Sequence, residues 1–291
     1  MNDLDFTIPP GKLRYEPPAE SSYDAAASLE FFKSAGNVEN VAAGKIIFAE
    51  DEKANGLLLQ RNKMYLLLEG EVGVLVKGKP VSTVRNGEIF GEMALITNTP
   101  RSATATAKTV CSLIALDDKQ LQAALRKKPE FALMLMSVMT ERLRNMLSRL
   151  DTGASSVSDG EKKGRVFDKK LLAYLAGEIG DGARMRYGQG KVIMQEGQAG
   201  VLMYVVLEGR VTIAMQNSVV EKIGPGGMFG EMALIESAKR LASAVAETDC
   251  ALLAINRNVF LELVKDNPEF GIALLGAVGE RVRFMASRHA L

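Results

Sequence analysis

Two side chains recur in this chain at a spacing that suits an anion attached to a sugar. Glu92 and Arg101 stand nine positions apart, and so do Glu231 and Arg240. Each acid follows a glycine, Gly91 or Gly230, inside the identical heptapeptide FGEMALI. A guanidinium presents a planar fork of N–H donors that matches a phosphate. An ionised carboxylate only accepts, so beside a phosphate it serves to grip sugar hydroxyls. A glycine at a strand end lets backbone approach a ligand closely. The amides of the short turn after it, Met93-Ala94 or Met232-Ala233, suit an anion. After the base, Ser102 and Ala103 leave room for a ligand; the second copy has Leu241 and Ala242 there. One glycine, one acid and one base describe a ribose-phosphate pocket that needs neither metal nor lysine. The competing reading is structural: Glu92 and Arg101 as a buried ion pair inside an empty barrel.

Other chemistries find little support. The single histidine, His289, lies near the end of the chain and forms no constellation with carboxylates. There is no nucleophile–base pair and no Walker-type lysine loop. A metal-dependent phosphodiesterase would need ligands that one histidine cannot supply. No catalytic residue and no metal site are therefore expected, and the chain is expected not to be an enzyme. Cys111 and Cys250 are 139 positions apart, the same offset as Glu92 and Glu231. They are one strand position seen twice, a small buried hydrophobe in each copy.

The runs FGEMALITNTPRSATATA (90–107) and FGEMALIESAKRLASAVA (229–246) resemble the phosphate-binding cassette of cyclic nucleotide-binding domains. These domains occur in protein kinase A regulatory subunits, nucleotide-gated channels and the bacterial catabolite activator protein. The resemblance implies that Glu92 and Glu231 hold a ribose 2′-hydroxyl, and that Arg101 and Arg240 hold a cyclic phosphate. It implies cyclic AMP as ligand, with cyclic GMP as the alternative. The second copy departs at Lys239 for Pro100 and at Leu241 for Ser102, which implies a different affinity or base choice there.

The elements that must position these residues are also written twice. MYLLLEGEVGVLV (64–76) and MYVVLEGRVTIAM (203–215) are strand–turn–strand units, with turns at Asn86-Gly87 and Pro225-Gly226 leading into each cassette. Glycine-separated short strands followed by helices predict a mainly β fold: two tandem antiparallel jelly-rolls with flanking helices. Asp117 and Asn256 are candidate helix caps. The repeat offset changes from 146 at Gly44 and Gly190 to 139 at Tyr65 and Tyr204, so the first copy carries seven extra residues near 50–62. The expected organisation is a flexible arm (1–23), a first domain (24–150), a Gly/Ser-rich link (151–165) and a second domain (166–291).

At 291 residues and 47% hydrophobic content, each of two domains can bury a core. A net charge of +1 gives no electrostatic footprint for direct nucleic-acid binding. No apolar run approaches the ~20 residues of a membrane span, and the acidic, proline-broken N-terminus does not resemble a secretory signal. A cytoplasmic protein without membrane insertion is expected. No attached winged helix-turn-helix, kinase or cyclase is expected. The expected role is thus a regulatory protein that binds a cyclic mononucleotide, changes conformation and signals through a separate protein effector. The rival expectation is an adaptor of the same fold that has lost nucleotide dependence. Met139, Leu143, Met146 and Leu150 fall on one helix face. Docking on the chain's own β-roll is the first expectation for this face; a homodimer through 131–150 is the second.

Overall fold

The computed structural model describes residues 23–53, 62–147, 166–216, 218–235 and 239–289. The arm up to residue 22, residues 54–61 of the surplus stretch 50–62, and the link 151–165 lie outside the described residues. Each copy folds as a roll of two four-stranded antiparallel sheets. In the first copy β1 (Asn37–Val41), β8 (Cys111–Asp117), β3 (Lys63–Glu69) and β6 (Ile89–Phe90) form one sheet. The facing sheet has β2 (Ile46–Phe48), β7 (Thr104–Ala107), β4 (Val72–Val76) and β5 (Lys79–Val84). The second copy repeats this order. One sheet is β9 (Arg184–Tyr187), β16 (Cys250–Ile255), β11 (Met203–Glu208) and β14 (Met228–Phe229). The other is β10 (Val192–Met194), β15 (Ser243–Ala246), β12 (Val211–Met215) and β13 (Ser218–Ile223). The expected mainly β, tandem jelly-roll architecture is what the chain adopts.

The apolar run MYLLL in β3 is buried on both faces for a simple reason. Tyr65 and Leu67 point between the sheets, where they meet Phe48, Val72, Phe90, Leu113 and Ala115. Met64 and Leu66 point the other way and are also buried. Helix α1 (Ala25–Ala35) packs on β3 and β8 at that outer face. Successive side chains alternate across a strand, so a continuous apolar run is the pattern of a strand covered twice. Tyr204, Val206, Val211, Phe229 and Leu252 build the corresponding core of the second roll. Cys111 and Cys250 are free and buried, and each Sγ lies against a backbone carbonyl, of Glu71 and Arg210 respectively.

Two further features bear on the site. Helix α2 (Glu92–Thr97) follows β6 in the first copy. At the same place the second copy has only a 3₁₀ turn, Glu231–Leu234. After β8 come α3 (Asp118–Lys127) and α4 (Glu130–Leu147). The second copy opens with α5 (Lys169–Ile179) and closes with α6 (Arg257–Asp266) and α7 (Pro268–His289). Asp117 caps α3 in a full capping box with Gln120, and Asn256 accepts from Val259 N at the start of α6. Both caps match the expectation.

The packing gathers the chain into two compact units that do not follow the copies. One holds Ser22–Leu143 together with Leu263–Leu291, and the other is built around Arg144–Glu262. Within the first unit α7 lies against α2 and α3. The helix that ends the second copy therefore packs on the first. The opening turns of α4 pack on the first copy too: Phe131 stacks on Phe31 of α1 at 3.5 Å between ring centroids, and Met139 is wholly buried. The side chains of Leu143, Met146 and Leu150 lie outside the described residues.

Candidate functional site

Each cassette begins where a short strand ends. Phe90 pairs with Tyr65 across β6 and β3, and Phe229 pairs with Tyr204 across β14 and β11. The chain then turns at Gly91 and Gly230, each with φ of 74°. In that left-handed region a Cβ is disfavoured. Space at Gly91 is short as well: an added Cβ would stand 3.1 Å from Arg101 Nη1 and 3.1 Å from the Phe48 ring.

The glycine carbonyl has a second task. Arg101 Nη1 donates to Gly91 O at 2.8 Å, and Nη2 donates to Lys63 O at 2.9 Å. In the second copy Arg240 Nη1 donates to Gly230 O at 3.1 Å, and Nη2 donates to Leu202 O at 2.7 Å. The backbone of each arginine is pinned in a matching way. Arg101 N donates to Glu52 O and Asp51 N to Arg101 O, both at 2.9 Å. Arg240 N donates to Gln198 O and Gly197 N to Arg240 O, both at 2.8 Å. Asp51 adopts φ of 63° where the second copy has Gly197 at 80°. The two loops thus have the same shape despite different residues.

Glu92 and Glu231 are both buried, at 1% and 7% exposure. Each sits at the first position of its turn, one residue from the carbonyl that the arginine grips. The structure therefore brings Gly91, Glu92 and Arg101 together, and likewise Gly230, Glu231 and Arg240. Burial pushes the pKa of Arg101 down, and Tyr65, Glu52 and Glu92 oppose that shift by favouring the cation. Burial acts on Arg240 in the same direction, against Tyr204 and Glu231. A guanidinium stays charged through such shifts. Their meaning is that each site holds a cation with part of its hydration removed.

The remaining predicted residues take graded positions. Met93 is half-buried and Ala94 buried, whereas Met232 and Ala233 are both half-buried. Ser102 is exposed and Ala103 half-buried; Leu241 and Ala242 are half-buried. The first arginine is the more enclosed: Arg101 is 5% exposed, and its Cζ lies 4.1 Å from the centre of the Phe48 ring. Met194 takes the Phe48 position, and the Arg240 guanidinium packs on the backbone at Gly200.

Four contributors were not legible as site residues in the sequence. Phe48 supplies the cation–π face, Tyr65 stacks beside it with ring centroids 6.0 Å apart, and Lys63 and Leu202 act through their carbonyls. Tyr65 and Tyr204 could have been found by their identity at the repeat offset. A carbonyl leaves no trace in residue type. Among the described residues no group of three or more His, Cys, Asp or Glu could hold a metal ion. No described helix is long and apolar enough to cross a membrane.

The family model described as "Cyclic nucleotide-binding domain" matches residues 38–128 and again 184–267. Human cGMP-dependent protein kinase 2 is 27% identical over 236 residues, covering 79% of this chain and 28% of the kinase. The chain thus spans less than a third of that relative's length. Among solved structures, the regulatory domain of Toxoplasma gondii PKA, co-crystallised with cAMP, is 23% identical with a TM-score of 0.30, covering 90% of this chain and 89% of that one. The Thermus thermophilus catabolite activator protein is 33% identical with a TM-score of 0.29, covering 41% of this chain and 57% of that one.

Proposed function

This chain belongs to the cyclic nucleotide-binding domain family in two tandem copies, and on that premise we propose that it is a cytoplasmic receptor for a cyclic mononucleotide. Cyclic AMP is the first candidate ligand and cyclic GMP the alternative. The role is binding rather than catalysis, with the signal passed to a separate protein effector. One observation carries the reading. In both copies a buried glutamate stands beside an arginine whose fork is fixed by two backbone carbonyls. Those bonds engage two of the five guanidinium N–H groups and hold the plane of the fork. A cyclic phosphate would take N–H groups of Arg101 or Arg240 that these bonds leave over, and the ribose 2′-hydroxyl would donate to Glu92 or Glu231.

The adaptor reading draws on the same bonds. A guanidinium already tied to backbone is more tolerant of an empty pocket than a free one. A homodimer through 131–150 would have to spare Met139, which is wholly buried within a single chain; light scattering on the purified protein measures it.

The deciding experiment is isothermal titration calorimetry with cyclic AMP and then cyclic GMP, on protein stripped of nucleotide by unfolding and refolding. Two sites per chain at micromolar or tighter affinity are expected. One site would point to an altered second pocket at Leu241. No heat with either nucleotide would refute the receptor and favour the adaptor.

A further inference from the structure

The same seven letters, FGEMALI, fold in two ways. In the first copy they lead into α2, six residues of α-helix; in the second the 3₁₀ turn ends after four residues. Ala94 and Ile96 are 2% and 5% exposed. Their counterparts Ala233 and Ile235 are half-buried and line a cavity of about 220 Å³ with Val201, Asn256 and Arg257. Glu92–Ile96 and Glu231–Ile235 are identical and share local preferences, so the difference comes from what flanks and surrounds them: Thr97 and Asn98 stand where the second copy has Glu236 and Ser237, and the packing neighbours differ as well.

Two neighbours differ. Asn62 Nδ2 donates to Ala94 O at 3.0 Å. Val201 holds that position in the second copy and has no side-chain donor. The larger difference is α7. A Cβ at Gly276 would stand 3.5 Å from Ile96 O. A Cβ at Gly279 would stand 2.8 Å from Thr97 Cγ2, 2.9 Å from Met139 Cε and 3.4 Å from Met93 Cε. Glycine is among the weakest helix formers, yet these two sit three apart in the interior of α7. Gly279 is the one whose lack of a side chain lets the α7 backbone come directly onto α2. A helix of six residues does not hold its shape by hydrogen bonds alone, so its stability comes from packing.

We propose that α7 is a brace for the first pocket, an inference that rests on that pocket being the nucleotide site proposed above. Docked α7 keeps Glu92–Thr97 helical. It thereby fixes Glu92 and the Gly91 carbonyl that positions Arg101. Without the brace, α2 relaxes toward the shorter turn of the second copy, where the glutamate is the more exposed of the two, 7% against 1%, and the first pocket loses part of its preorganisation. The end of the second copy thus sets the affinity of the first.

The test uses the full-length protein carrying Arg240→Ala, so that only the first pocket titrates. Gly279→Leu places a wedge against Thr97. Gly276→Ala, whose Cβ meets only an ordinary contact, is the control. The readouts are calorimetry with cyclic AMP and hydrogen exchange over residues 92–97. The wedge is expected to weaken binding about fivefold or more, the lower range of a coupling between distinct sites, and to speed exchange in 92–97. The control changes neither. With Arg101→Ala in place of Arg240→Ala, the wedge leaves the second pocket's affinity unchanged. If circular dichroism shows that Gly279→Leu is unfolded, Gly279→Val takes its place. A wedge that folds and leaves exchange over 92–97 unchanged, or leaves affinity unchanged or tighter, overturns the brace. If the unwedged protein binds no nucleotide, the receptor reading fails, while the exchange measurement still judges the brace.

Discussion

Replacing Arg101 with alanine should strongly weaken ligand binding in the first pocket, and the structure sets the scale. The guanidinium is 5% exposed, held by carbonyls at 2.8 and 2.9 Å and stacked on Phe48 at 4.1 Å. Its burial without a bound anion is unfavourable, which is why its pKa is drawn down. A phosphate would offset that desolvation. Truncating one partner of a buried charge pair costs about 2–5 kcal/mol, and at 1.4 kcal/mol per factor of ten that is ~30-fold or more in affinity. Folding must be measured separately. The truncation also removes two charge-assisted hydrogen bonds, each about 1.5–3 kcal/mol, while relieving the desolvation of the cation. Urea unfolding of the variant supplies that control. Arg101→Lys keeps a positive charge but loses the fork. It should recover only a small part of the affinity, because one ammonium cannot hold two carbonyls and a phosphate in one plane. Calorimetry with cyclic AMP in the Arg240→Ala background isolates the first pocket. A folded Arg101→Ala protein with unchanged affinity would refute the assignment of the phosphate to this arginine.

Other outcomes follow from particular residues. Tyr65 is pushed up to about 12 by burial, so its hydroxyl keeps its proton in the folded state where an unfolded tyrosine, near 10, would lose it. The stability it contributes is complete below pH ~10 and is lost as pH rises from there through ~12. Tyr65→Phe should flatten the fall in melting temperature over that window. Gly91→Ala should lower stability by about 1–2 kcal/mol, the cost of a Cβ in the left-handed region, and its crowding of Arg101 should weaken binding; urea titration and calorimetry read the two effects. Asp117→Ala should cost about 0.5–2 kcal/mol of stability through loss of the α3 cap and leave nucleotide affinity unchanged. Leu241→Ser restores the hydroxyl of the first copy, and in the Arg101→Ala background it should tighten the second pocket; equal affinity before and after would show that position 241 does not touch the ligand.

The sequence by itself determined the two copies, the β architecture and the acid–base pair of each cassette. FGEMALI and the nine-residue Glu-to-Arg spacing are local, and local patterns survive in one dimension. The strand reading of MYLLLEGEVGVLV rests on the same footing, as do the caps at Asp117 and Asn256. Tertiary structure decided the rest. Only the fold brings Phe48 beneath Arg101, because β2 pairs with β7 and so carries Phe48 up to the residues just before β7. Only the fold supplies Lys63 O and Leu202 O, since every residue carries a carbonyl and residue type says nothing of where it points. The repeat boundary in the sequence assigns α7 to the second copy, whereas packing gathers it with the first. The clearest case is FGEMALI itself, where one string of letters becomes a helix against Gly276 and Gly279 and a shorter turn beside Val201. Local preference leaves so short a segment near balance between the two forms, and contacts from outside it, Asn62 on one side and α7 about 180 residues away on the other, distinguish the first copy.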